Sequence, residues 1–190
     1  MLRGDGMYTV EKTNIEDVLT LTPKVFNDER GCFFESFSVK ALEAVGIDFH
    51  VCQENHIINK DAGVIRGLHF QNSPYAQAKI VRCIRGIVDD VAVDLRKGSP
   101  TYLQWVMVEL SEENRRQLFL PRGFAHGVIS RSDYSEIQYV VDAPYCPELD
   151  RNIRYDELLI GIPWNCDKPI LSTKDQNAPS LAQSDCNFSY

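Results

Sequence analysis

From residue 80 onward the sequence breaks into short apolar runs rich in β-branched and aromatic residues, with turn residues every eight to twelve positions. The runs cover residues 80–84, 87–95, 103–110, 117–120, 127–129 and 136–141. Between them lie Arg85-Gly86, Lys97-Gly98-Ser99-Pro100, Glu112-Glu113-Asn114, Pro121-Arg122-Gly123 and Arg131-Ser132-Asp133. Segments this short bury an apolar face only by pairing with one another, so the rhythm predicts an all-β sandwich or barrel. Within residues 88–95, Asp90, Ala92 and Asp94 alternate with Val91, Val93 and Leu95, which predicts a strand with one apolar face. Only Ser38-Val-Lys-Ala-Leu-Glu-Ala-Val-Gly46 reads as a helix, with Ser38 as N-cap and Gly46 as the C-terminal stop. After about Asp150 the period fades and Pro163, Pro169 and Pro179 punctuate the chain. Short helices and a wrapping tail, irregular from about residue 170, are expected there.

No repeat or low-complexity linker divides the chain, so residues 1–190 read as one domain. Twenty Lys and Arg against 27 Asp and Glu leave a net charge of −7, which repels polyanions and argues against nucleic acid as a partner. Binding an anion therefore needs a local basic cluster. No apolar stretch approaches the roughly 20 residues that span a bilayer, and residues 1–7 carry no apolar run of the kind that makes a secretory leader. Six scattered cysteines without a C-x-x-C pair read as reduced thiols in the cytoplasm, with Cys83 buried in its apolar run and Cys186 exposed in a polar tail.

Four histidines are present, His50, His56, His69 and His126, and none forms an H-x-H or H-E-x-x-H pair, so neither a metal nor another cofactor is expected. The densest polar cluster in an apolar setting is Val64-Ile-Arg-Gly-Leu-His-Phe-Gln71. In a regular strand Arg66 and His69 would point to opposite faces, and a bulge at Gly67 would bring them to one side. Taken alone, His69 is more often a satisfied core histidine than a catalyst. Likewise Lys79, at the start of a run, is usually solvated, His126 follows a Pro/Gly turn, and Tyr139 sits mid-strand as core tyrosines do.

Together the segments say more. Phe26-Asn-Asp-Glu-Arg-Gly-Cys-Phe-Phe-Glu35, Gln53-Glu-Asn55, Arg66-Gly-Leu-His69, Lys79-Ile-Val-Arg82, Asp90-Val-Ala-Val-Asp94, Gly98-Ser-Pro100, Pro121-Arg-Gly-Phe-Ala-His-Gly127 and Ser172-Thr-Lys-Asp175 resemble, in order and spacing, the dTDP-4-dehydrorhamnose 3,5-epimerases over about residues 8–180. The resemblance implies a dimeric jelly-roll of the cupin type that works without metal. Its substrate would be a nucleotide-linked 4-keto-6-deoxyhexose, whose C3 and C5 protons are acidified by the C4 carbonyl. It further implies His69 as the base, Asp175 as the carboxylate that orients it, Tyr139 as proton donor on the opposite face, and Lys79 as the cation facing the enolate oxygen. Arg30, Glu35, Gln53, Asn55, Arg66, His126, Tyr145, Asp150 and Lys174 correspond to substrate-holding positions, with Arg30 and Glu35 acting across a homodimer and Tyr145 stacking on the base. Three places depart from the family pattern: Ile57-Ile58-Asn59 replace a serine-rich segment, Asp150 stands where Glu is usual, and near the end Asp156-Glu157 and Pro163-Trp164-Asn165 stand where Asp-Pro and Trp-Pro pairs are common.

The leading expectation is thus the double epimerisation of dTDP-4-keto-6-deoxy-D-glucose to dTDP-4-keto-L-rhamnose. Inversion at C3 or C5 alone, or of a CDP-linked sugar, would use the same motifs. A non-catalytic sugar-binding relative of the fold needs neither base nor donor, so the complete His69, Lys79, Tyr139 and Asp175 set argues against it.

Overall fold

The computed structural model describes residues 6–190, so residues 1–5 of the segment read above as lacking a leader lie outside the described residues. The strands are β1 (Tyr8–Lys12), β2 (Leu19–Pro23), β3 (Val25–Asp28), β4 (Gly31–Phe34), β5 (Gln53–Asn59), β6 (Ile65–Gln71), β7 (Lys79–Arg85), β8 (Ile87–Asp94), β9 (Trp105–Ser111), β10 (Gln117–Leu120), β11 (Phe124–Ser130), β12 (Ser135–Val141) and β13 (Asp150–Asn152). Two short helices, α1 (Val39–Glu43) and α2 (Thr173–Gln176), and two 3₁₀ turns complete the described elements. A six-stranded sheet in the order β1-β2-β10-β7-β12-β5 packs on a five-stranded sheet in the order β13-β6-β11-β8-β9, and β3 and β4 form a separate hairpin. All strand pairs are antiparallel, and sequence neighbours are distributed between the two sheets, as in the expected jelly-roll sandwich.

Alternation sorts the side chains into three layers. Val81, Cys83, Leu118 and Ile137 from the six-stranded sheet meet Val88, Ala92, Phe124 and Val128 from the other in the sandwich interior. The outer face of the five-stranded sheet, with Val91, Val93 and Leu95, is covered by Ile153, Ile160, Trp164 and Phe188 of the C-terminal wrap. The outer face of the six-stranded sheet, with Leu21, Ile80 and Phe119, is covered by Ala41 and Leu42 of α1 and by Phe49. Ser38 caps α1 by accepting from Ala41 N, and Gly46 takes φ +81 three residues past the helix, as the sequence suggested. Burial pushes the Cys83 thiol up to about 11, so it behaves as a small apolar residue. Among the described residues no helix is long and apolar enough to cross a membrane.

The structure corrects several expectations. β8 has no solvent face: Asp90 and Asp94 are fully buried, each with fixed partners, because the wrap covers one side and the sandwich the other. The run expected from residue 103 starts at Trp105, since Leu103 closes a turn at φ +63 and donates its N–H to Asp94 O. β11 begins three residues earlier than residue 127 because Phe124, Ala125 and His126 pair with β8. Cys186 is half-buried, packed against the outer cluster rather than exposed. The sequence reading names no strand before residue 64, where the structure has β1 to β5.

Candidate active site

β6 sets the site, and its irregularity does the work. His69 pairs with His126 and Arg66 with Val128, so three steps along β6 match two along β11. Gly67 absorbs the extra residue at φ +133, and a Cβ there would lie 2.6 Å from Gly127 Cα and 2.8 Å from His126 O. Only glycine fits. The bulge turns Arg66 and His69 to the same, partly open face, while Ile65, Leu68 and Phe70 pack into the outer cluster.

His69 Nε2 lies 2.6 Å from Asp175 Oδ1. With Nε2–H donating to that carboxylate, Nδ1 is left as the nitrogen with a free lone pair. Asp175 comes from the first turn of α2, where Ser172 Oγ accepts its backbone N–H and donates to Oδ2 at 2.8 Å. Burial pushes the Asp175 carboxyl up, but its hydrogen bond to His69, the charge of His69, Ser172 and Lys174 more than offset that and hold it below the usual carboxylate range. Asp175 is therefore a fixed anion that sets tautomer and ring orientation.

The adjacent strand supplies a second pair. His126 Nε2 donates to Asp90 Oδ1 at 2.6 Å, both side chains being buried, and Asp90 Oδ2 has no hydrogen-bond partner. The opposite sheet supplies the facing wall: the Tyr139 ring stands edge-on to His126 with centroids 6.3 Å apart, and Lys79 Nζ lies 5.7 Å from the Tyr139 centroid. Burial drives the Lys79 pKa down to about 8, against the pull of Asp90 and Asp150 and with a push from Lys174. Burial also raises the Tyr139 phenol above its ordinary value, with Arg66 opposing and Asp150 reinforcing. Tyr139 is therefore a protonated donor at neutral pH.

A polar ledge extends from this centre. Gln53 Nε2 donates to Asn55 Oδ1 at 2.8 Å, and Gln53 Oε1 accepts from Tyr145 N at 3.2 Å. Tyr145 OH donates to Asp150 Oδ2 at 3.2 Å, and Lys174 Nζ donates to the same oxygen at 2.6 Å. The Tyr145 ring is 55% exposed. On the other side, Arg66 Nε donates to Asn59 Oδ1 at 2.9 Å and borders a cleft of about 320 Å³ that also reaches Ile58, Ser172 and Asp175. Of the departures from the family pattern, Ile57 packs into the interior and Ile58 lines this cleft, while Asp150 joins the ledge.

Eleven of the thirteen residues singled out by sequence thus gather around the open end of the sandwich. Arg30 and Glu35 do not. Arg30 sits on the β3–β4 hairpin, ion-paired at 2.6 Å to Asp28, and Glu35 follows it, its carbonyl accepting from Tyr8 OH at 2.6 Å. The sequence reading passed over Asp90 and Asn59 as site residues. The signal was available for Asp90: a carboxylate inside a valine-rich strand must find a partner or not be buried. Among the described residues no group of three or more His, Cys, Asp or Glu comes together to hold a metal ion.

A bulge-aligned imidazole backed by a carboxylate, facing a phenol and an ammonium across a sandwich, can remove a carbon-bound proton and deliver another from the other side. Comparison with known proteins agrees. A model of the family described as dTDP-4-dehydrorhamnose 3,5-epimerase matches residues 12–183. The chain is 49% identical over 177 residues to the dTDP-4-dehydrorhamnose 3,5-epimerase of Shigella flexneri, covering 93% of this chain and 97% of the relative. A crystal structure of dTDP-4-dehydrorhamnose 3,5-epimerase from Bacillus anthracis with TDP and PPi bound matches with a TM-score of 0.89 at 42% identity, over 92% of this chain and 99% of that one. The Legionella pneumophila dTDP-6-deoxy-D-glucose-3,5-epimerase in complex with dTDP-4-keto-L-rhamnose matches with a TM-score of 0.89 at 40% identity, over 94% and 95% of the two chains.

Proposed function

Because the chain belongs to the dTDP-4-dehydrorhamnose 3,5-epimerase family, with its cupin-type jelly-roll, we propose that it is an isomerase converting dTDP-4-keto-6-deoxy-D-glucose to dTDP-4-keto-L-rhamnose for dTDP-L-rhamnose synthesis. One epimerase domain spans residues 1–190, and it works without cofactor. His69 Nδ1 takes the proton from the carbon beside the C4 ketone, and Asp175 stabilises the imidazolium that forms. The electron pair moves to the ketone oxygen, where the Lys79 ammonium offsets the developing charge and His126 holds the sugar. Tyr139 then gives its proton to the opposite face, inverting the centre; His69 releases its proton to solvent, the Tyr139 phenolate takes one up from solvent, and the sequence repeats at the second carbon.

Arg66 suits the diphosphate, since a guanidinium matches two phosphate oxygens at once. Tyr145 stacks on the base, with Gln53, Asn55, Asp150 and Lys174 around it. Arg30 and Glu35, remote from the site within one chain, would complete the site of a second copy in a homodimer. The six unpaired thiols fit a reducing cytoplasm.

The observation that carries this reading is the 2.6 Å pair of His69 with Asp175 of α2, with His69 on one sheet and Tyr139 on the other. Turnover of dTDP-4-keto-6-deoxyglucose in heavy water, followed by NMR, tests it. Deuterium at both C3 and C5 of inverted product is expected. Label at one carbon alone would make the protein a single-centre epimerase, and no label with the dTDP sugar but exchange with a CDP-linked 4-keto sugar would overturn the nucleotide assignment.

A further inference from the structure

The segment after residue 183 lies beyond the match to the family model, yet it is bonded to the loops that carry the nucleotide ledge. Its anchor is Phe188, 6% exposed, whose ring lies 5.6 Å from that of Phe70 behind β6. Main-chain bonds from Lys97 N to Phe188 O and from Tyr190 N to Lys97 O fix the same stretch against the loop after β8. Upstream of the anchor, two side chains reach forward. Asp185 accepts from Arg151 Nε at 2.7 Å and from Nη2 at 2.9 Å, while Arg151 Nη1 donates to the carbonyls of Glu148 and Asp150. Asn187 Oδ1 accepts from Ser73 N, and its Nδ2 donates to Ser73 O, both at 3.0 Å. Between them Asn72 Nδ2 donates to Asp185 O, and Asn72 N donates to Leu149 O.

We infer that residues 184–190 form a strap whose Asp185 and Asn187 are positioning residues for nucleotide binding, holding the 145–150 loop in its binding geometry, Asp185 through Arg151 and Asn72 and Asn187 through Ser73 beside Asn72. The inference rests on the assignment of Tyr145 and Asp150 to the nucleotide site. Its logic is preorganisation. Tyr145 is exposed and its hydroxyl bonds Asp150, so the platform is only as fixed as the backbone on which both ride. That backbone is clamped by the Arg151 guanidinium, and the guanidinium is oriented by the Asp185 carboxylate. A loop ordered before the ligand arrives costs less to order afterwards. His69, Lys79 and Tyr139 sit on the strands β6, β7 and β12, whereas the Asp185 and Asn187 side chains bond Arg151, Asn72 and Ser73 outside those strands and the Phe188 anchor against β6 is left in place, so the proton-transfer geometry should survive loss of the two side chains.

Calorimetric titration with dTDP, together with steady-state kinetics, tests this on Asp185→Ala, Asn187→Ala and the double variant, with Tyr145→Ala alongside. The double variant should raise the dTDP dissociation constant and KM about five- to tenfold, the cost of ordering one or two side chains with their loop on binding. Its kcat should stay within about twofold of the parent, and Asp185→Glu should restore most of the affinity because it keeps the carboxylate. Unchanged dTDP affinity in the double variant beside a weakened Tyr145→Ala would overturn the strap while leaving the ledge intact. A lowered melting temperature with no split between KM and kcat would also overturn it, reducing the strap to a stability element. If Tyr145→Ala itself binds dTDP normally, the ledge assignment fails and takes the strap with it.

Discussion

Lys79 gives the sharpest test, because burial sets its charge close to working pH. Its pKa of about 8 means that near pH 7 roughly nine-tenths of the free enzyme carries the ammonium, and near pH 9 roughly one-tenth does. If that cation stabilises the enolate oxygen, kcat/KM should fall about tenfold between pH 7 and pH 9 and continue down tenfold per unit. The limb of kcat should lie at higher pH, since the bound diphosphate favours the protonated amine. Tyr139 does not confuse the reading, because its own titration is raised above the ordinary phenol value. Lys79→Arg keeps the charge at every pH used and should remove the limb at reduced rate, whereas Lys79→Met should be slow and flat. The assay is initial exchange of C3 and C5 protons for deuterium, measured at half-unit steps from pH 6.5 to about 9.5. A kcat/KM that stays level past pH 9, or a limb that persists unchanged in Lys79→Arg, would refute the assignment. The same shift has a folding consequence: between about 8 and the ordinary lysine value of 10.5 the unfolded chain holds the proton more tightly, so this group makes stability rise with pH across that window.

His69→Asn should lower turnover by about 10²- to 10⁴-fold while dTDP affinity is kept, and a variant retaining a tenth of the parent rate would make His69 structural. Tyr139→Phe should still exchange deuterium into recovered substrate with configuration retained while inverted product disappears; loss of all exchange would place Tyr139 in deprotonation instead. Gly67→Ala should destabilise the fold by at least about 1–3 kcal/mol, from backbone strain at φ +133 and from the close approach to Gly127 and His126 O, read as a shift of the urea midpoint. A neutral result there would mean that the bulge is not what aligns Arg66 with His69.

What the sequence revealed depended on whether a strand carried ordinary interior residues. β7, β10 and β12 were legible because Val81, Cys83, Leu118 and Ile137 keep the apolar alternation that burial demands. β5 was not, because its inward positions are Gln53, Asn55, Ile57 and Asn59, three of them polar and bonded within the site. β8 was read as half-solvated for the same reason, its inward Asp90 being paired with His126 rather than wet. β3 and β4 are largely exposed and form no part of either sheet, so no burial pattern marks them. The wrap buries Ile153, Ile160, Trp164 and Phe188 at intervals that match neither period, because it follows the outer face of a sheet and not its own axis. The bulge at Gly67 could be named from Arg66 and His69 alone, whereas the pairing of His69 with Asp175, more than a hundred residues away, came only through the family resemblance.

The places where the pattern broke are the site itself, and the reason is mechanistic. Inversion needs a proton acceptor and a donor that approach one carbon from opposite sides. For the reaction proposed above, a two-sheet sandwich provides this by putting His69 on one wall and Tyr139 on the other, at an end where the apolar filling gives way to polar groups. Each such group gives up interior packing, and each has been anchored in turn: His69 by Asp175, His126 by Asp90, Arg66 by Asn59, Gln53 by the Tyr145 backbone. Among the charged groups Lys79 is the exception. It has charged neighbours but no ion pair within 4 Å among the described residues, and burial leaves it mostly protonated at neutrality but within about a pH unit of losing its proton. An anchored ammonium would already have its charge offset by a fixed carboxylate. An ammonium held near Asp90 but not bonded to it keeps most of its field for the oxygen that becomes negative only as the carbon proton leaves, which is where stabilisation accelerates the reaction.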